Sequence, residues 1–156
     1  MHIERLLLPL TGHDVDEAAA LLAGDLVRPN HGQVFALYVI QVPWEYPVDA
    51  EIPEATERGG QALERVEGIL KSLKQHVTAE FIQARDTGPA IVNEAIERQA
   101  DLVLLGMPYK RRHGVFSMGE AVPYVLRSAP CPVLILREPL PDQPLLNGAG
   151  RREPRP

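Results

Sequence analysis

Apolar positions along this chain keep two alternating rhythms. The first is a short unbroken run, Leu6-Leu7-Leu8-Pro9-Leu10, which closes on Thr11-Gly12 and predicts a strand ended by a turn. From Asp14 the period changes. Val15, Ala18, Ala19, Leu22 and Leu26 recur at helical spacing, so a helix follows. Asp14 is placed to cap it, Asp16 and Glu17 suit the positive end of its dipole, and Pro29-Asn30-His31-Gly32 stops it. A second run over 34–42 is rich in β-branched and aromatic residues and predicts another strand. Residues 43–53 form a polar loop with three prolines. Trp44 and Tyr46 within it either line a surface or cover core. Ala62, Val66, Ile69, Leu70 and Leu73 mark a second helix, weakened by Gly59, Gly60 and Gly68.

The alternation continues to residue 136. Val77 to Ile82 predicts the third strand. Thr87-Gly88-Pro89 opens a helix whose apolar face is Ile91, Val92, Ala95 and Ile96, with proline near the start, where it removes no needed amide. Leu102-Val103-Leu104-Leu105 is unbroken up to Gly106, as suits a strand buried on both faces. A loop rich in Lys and Arg runs to Met118 and a short helix spans 119–128. After Ala129-Pro130-Cys131-Pro132, the fifth strand is Val133 to Leu136. Five strands alternating with four helices predict an α/β fold in three layers, an open parallel sheet with right-handed crossovers and helices on both faces. The pattern leaves the strand order open. Residues 1–138 make one domain. Residues 139–156 hold five prolines and few large apolar groups, which predicts a disordered tail.

Charge and composition narrow the function. The 156 residues carry a formal net charge of −5, which argues against nucleic acid as a partner, since the molecule as a whole would be repelled by phosphate. One local basic patch remains compatible with that charge. The N-terminal residues reach a strand-like run at once, and no apolar stretch approaches the roughly 18–20 residues that cross a bilayer. A cytoplasmic protein without direct membrane insertion is expected, so any membrane role needs a partner. The lone Cys131 reads as a small buried hydrophobe rather than a reactive thiol. No Gly-x-Ser-x-Gly, Cys-x-x-Cys or Gly-Lys-Ser/Thr occurs, and the five histidines are dispersed without metal-ligand spacing. A binding module, not an enzyme, is expected.

Ligands of open α/β sheets bind beyond the carboxyl ends of the strands, where the topology switches. Two loops stand there: Pro9-Leu10-Thr11-Gly12 after the first strand, and residues 106–120 after the fourth. The second has glycine at both ends, leads into a helix N-terminus, and carries Lys110, Arg111, Arg112 and His113. Backbone N–H groups with fixed positive charge make it a candidate phosphate site whose anion affinity rests on Lys110, Arg111 and Arg112. A solvated charged loop is the other reading of that cluster. Ser117 to Glu120 has capping-box spacing, so Glu120 is also a candidate helix cap.

Four stretches together resemble the universal stress protein family over residues 3–137. They are the strand Leu6 to Leu10 with its turn; Asp86-Thr87-Gly88-Pro89-Ala90; Ala100 to Gly106; and Leu126-Arg127-Ser128-Ala129-Pro130-Cys131-Pro132-Val133-Leu134. The stretches 38–51 and 108–123 look more like members that accompany amino-acid permeases. The resemblance implies strand order 3-2-1-4-5, an adenine-nucleotide alpha-hydrolase-like (Rossmann-like) sheet, and a homodimer, for which the edge strand Val133 to Leu136 is the candidate contact. It also implies an adenine nucleotide: ATP, AMP or a cyclic dinucleotide. Leu10, Thr11 and Val39 would form the base wall. Gly106, Tyr109, Lys110, Gly119, Glu120 and Ala121 would form the phosphate side, Val39 and Ala121 entering through the resemblance alone. Three positions depart from the family's pattern. Thr11 replaces an aspartate, Tyr109 a glycine, and Glu120 a Ser or Thr. A ring narrows the approach of phosphate to the backbone, and a carboxylate repels it. The alternative is a ligand-free dimeric interaction protein that regulates a membrane transporter.

Overall fold

The structure, a computed structural model, describes residues 1–112 and 115–140, with the segments 110–112 and 115–117 described by backbone path alone. Its elements are β1 (Arg5–Pro9), α1 (Val15–Val27), β2 (Gln33–Gln41), α2 (Pro53–Ser72), β3 (His76–Ala84), α3 (Thr87–Glu97), β4 (Leu102–Met107), β5 (Lys110–Arg112), β6 (Val115–Ser117), α4 (Ala121–Ser128) and β7 (Val133–Arg137). Five parallel strands form the main sheet in the order β3-β2-β1-β4-β7, which is 3-2-1-4-5 counted along that sheet. The strand order expected from the resemblance therefore holds.

Alternation along β1 builds both layers of core. Leu6 and Leu8 face α1 and α2, where Ala19, Ala20, Ala23, Ala62, Val66 and Leu70 pack. Leu7 faces α3 and α4, against Ile91, Val92, Ala95, Val122 and Val125. All three leucines are fully buried, and each burial contributes roughly 1.5–3 kcal/mol.

Two stretches differ from the sequence reading. The helix expected around Ala62 to Leu73 starts earlier, at Pro53, and runs through its glycines. Gly59 explains this: a Cβ there would lie 2.4 Å from Cδ1 of Tyr38 and 2.7 Å from Cε1 of Phe81. Glycine thus allows α2 to approach the sheet closely, which offsets its low helix propensity. The segment expected as a loop up to Met118 contains the antiparallel pair β5–β6, with Lys110 opposite Ser117. Of the expected tail, residues 141–156 lie outside the described residues.

Candidate functional site

The order of strands puts the switch point beside β1, where β2 leaves in one direction and β4 in the other. Two adjoining pockets open at the carboxyl ends of these strands. The smaller, about 240 Å³, is lined by Leu10, Thr11, Tyr38, Val39, Thr87, Ile91, Leu105, Gly106, Ala121 and Val122, with Pro9 at its base. The larger, about 580 Å³, is lined by Gln41, Asp86, Thr87, Gly88, Pro89, Gly119, Glu120, Ala121 and Tyr124. Thr87 and Ala121 belong to both, so the two form one cleft. The larger alone is of a size that takes small molecules, roughly 300–1,000 Å³.

Leu10, Thr11, Val39, Gly106 and Ala121 are thus brought together, and Gly119 and Glu120 line the adjoining space. Tyr109 lines neither pocket. Its N–H donates to Oε1 of Glu138 at 2.8 Å, and the Arg137 guanidinium lies 5.3 Å from its ring centre. The side chains of Lys110, Arg111 and Arg112 lie outside the described residues; their backbone forms β5. Glu120 itself takes the N-cap position of α4 and makes no side-chain cap bond there. Asp86 likewise precedes α3 without capping it. Two carboxylates therefore border the larger pocket. Among the described residues, no Lys, Arg or His lines either pocket.

Sequence reasoning overlooked the residue that organises the β1 loop. Asp14 sits at the N-cap of α1 without a side-chain cap bond. Asp16, one residue inside the helix, turns back instead. Its Oδ1 accepts from the N–H and the hydroxyl of Thr11, each at 2.8 Å, and its Oδ2 accepts from the N–H of Gly12 at 2.8 Å. Gly12 adopts φ +78°, a left-handed conformation that glycine enters without steric cost. From the sequence Asp16 suits only the helix dipole; its nearness to a Thr-Gly turn is the available signal. Thr87 and Asp86 were also missed as lining residues, although their helix start follows β3 at the same end of the sheet.

Near the cleft, Arg85 donates from Nη1 to the carbonyls of Pro43 and Tyr46 at 2.7 Å each, and its guanidinium lies 4.7 Å from the ring centre of Trp44. Trp44 is 78% exposed, which settles the open reading of this residue in favour of surface. Cys131 is partly buried. Burial pushes its thiol up, the Asp101 carboxylate adds to the rise, and a backbone hydrogen bond at Val103 opposes it. A thiol held protonated is a poor nucleophile.

A profile of the universal stress protein family matches residues 2–137. The chain belongs to the universal stress protein family. A universal stress protein of Methanocaldococcus jannaschii is 27% identical over 142 residues, spanning 87% of this chain and 83% of the relative. Among solved structures, a universal stress protein from Archaeoglobus fulgidus in complex with dAMP superposes with a TM-score of 0.68 at 15% identity, covering 86% of this chain and 98% of that one. A family protein from Arabidopsis thaliana with AMP bound gives 0.61 at 15% identity, covering 86% and 92%. These likenesses show the universal stress protein fold. Among the described residues, no helix is long and apolar enough to cross a membrane.

Proposed function

We propose that this universal stress protein is a cytoplasmic, nucleotide-responsive regulatory module that takes an adenine nucleotide in the cleft between the loops after β1 and β4 and catalyses no reaction. The observation that carries this reading is the convergence of Leu10, Thr11, Val39, Gly106 and Ala121, far apart in sequence, on one largely apolar pocket at the switch point. The dAMP and AMP complexes of structural neighbours support the ligand class. The base occupies the apolar pocket, and phosphate extends toward Gly119 and the Lys110–Arg112 strand. A thermal-shift screen with ATP, AMP and cyclic dinucleotides tests it. A ligand that binds the folded state at about 100 times its Kd adds about 2.7 kcal/mol of stability, which raises Tm by several degrees. An unchanged Tm with every adenine nucleotide counts against the reading.

A second reading is a ligand-free dimer that regulates a membrane transporter. The carboxylates of Asp86 and Glu120 at the larger pocket favour it, because they repel phosphate. The likeness of stretches 38–51 and 108–123 to permease-accompanying members points to the kind of partner. An unchanged Tm together with a dimeric mass supports this alternative.

A further inference from the structure

The backbone N–H groups of residues 10–13, in the turn after β1, all point at acceptors within the protein. Besides the three bonds to Asp16, the N–H of Leu10 donates to the carbonyl of Leu37 at 2.7 Å and that of His13 to Oγ1 of Thr11 at 3.0 Å. Every N–H from Leu10 to His13 is therefore directed at protein. Asp16 is 1% exposed and is the one buried charged residue among those described. Its carboxylate has lost its hydration and holds three donors in exchange. Glycine turns between a strand and a helix N-terminus commonly bind phosphate through free N–H groups. Here the place of that anion is filled from within, by a side chain of the helix itself.

We infer that Asp16 sets the ligand selectivity of the cleft: its carboxylate acts as a built-in anion at the β1 turn, so that this wall rejects phosphate and admits only the uncharged end of a ligand. Thr11, which lines the pocket, transmits the effect, so Asp16 is a positioning residue. The inference rests on the adenine-nucleotide reading of the cleft.

Asp16→Asn tests it. The amide oxygen can still accept from Thr11, but the amide nitrogen cannot accept from Gly12, so one N–H is released and the charge is gone. Adenosine, AMP and ATP are titrated into both proteins by calorimetry. The expected result is a shift of the affinity ratio in favour of ATP over adenosine by about tenfold or more, shrinking as salt is added. Inorganic pyrophosphate should compete with ATP more strongly in the variant than in the wild type. A merely structural role would weaken all three ligands by one common factor, and that outcome overturns the inference. Should the variant fail to fold, amide exchange of the wild type decides. Slow exchange at Thr11 and Gly12, unaffected by millimolar pyrophosphate, supports the inference; fast exchange, or exchange slowed by pyrophosphate, overturns it. If none of the three adenine ligands binds the wild type, the nucleotide reading fails, and the exchange measurement alone judges Asp16.

Discussion

The hydroxyl of Thr11 stands 2.8 Å from Oδ1 of Asp16 and donates to it, while its oxygen accepts from the N–H of His13. The hydroxyl of this residue is thus engaged within the turn. The family's usual residue at this place is an aspartate, and Thr11→Asp would set two carboxylates against one set of donors. They repel unless one is protonated. The variant should lose about 1–3 kcal/mol at pH 7, and the loss should shrink as pH falls toward the carboxyl range, about 4. Urea unfolding at both pH values measures this. Replacing Asp16 by Ser in the same chain should recover most of the loss, because the two sites are in contact and couple.

Two glycines of α2 should respond oppositely to alanine. A Cβ at Gly59 would meet the ring of Tyr38 at 2.4 Å, so Gly59→Ala should destabilise by about 1–3 kcal/mol through overpacking. Gly68 is exposed with nothing within 4 Å, so Gly68→Ala should stabilise by roughly 0.5–1 kcal/mol through helix propensity. Denaturant midpoints of the two variants check the signs.

Much of this architecture was legible because strands and helices carry different periods. Leu102 to Leu105 announce a strand buried on both faces, and Val15, Ala19 and Leu22 announce a helix. Strand order was beyond periodicity, because pairing is a long-range property; it came from the family's motifs. The purpose of Gly59 in α2 was hidden because a glycine there reads locally only as a weakening of the helix, and only the ring of Tyr38 across the interface explains it. At the cleft, Gly106 and Thr11 were readable from loops at strand ends. Asp16 was not, since one carboxylate in a first helical turn looks the same whether it faces water or folds back on the preceding loop.

The strand β7 pairs with β4 on one side, and Leu134 is 39% exposed. Such an edge offers unpaired N–H and C=O groups to another chain, and a two-fold contact lets β7 pair with its own copy. Light scattering at micromolar concentration should give twice the 17.2 kDa chain mass, and Leu134→Lys should shift the protein toward monomer. A single species at the chain mass would exclude this contact.

Arg85 fastens the loop that carries the one tryptophan of the sequence. Arg85→Ala removes the bonds to the carbonyls of Pro43 and Tyr46, a longer one to that of Val42, and the stacking on Trp44. The fluorescence anisotropy of Trp44 should fall and cleavage by chymotrypsin after Trp44 should quicken, with the melting temperature little changed. Equal anisotropy in both proteins would mean that the loop is held by other contacts.

The central claim, an adenine nucleotide in the cleft beside β1, is tested most directly by titrating AMP into isotope-labelled protein and following backbone amide shifts. Saturable changes should concentrate at Leu10, Thr11, Val39, Gly106 and Ala121, the residues that share the smaller pocket. No change at millimolar AMP, or changes confined to the opposite end of the sheet around Glu4, His31 and His76, would contradict it.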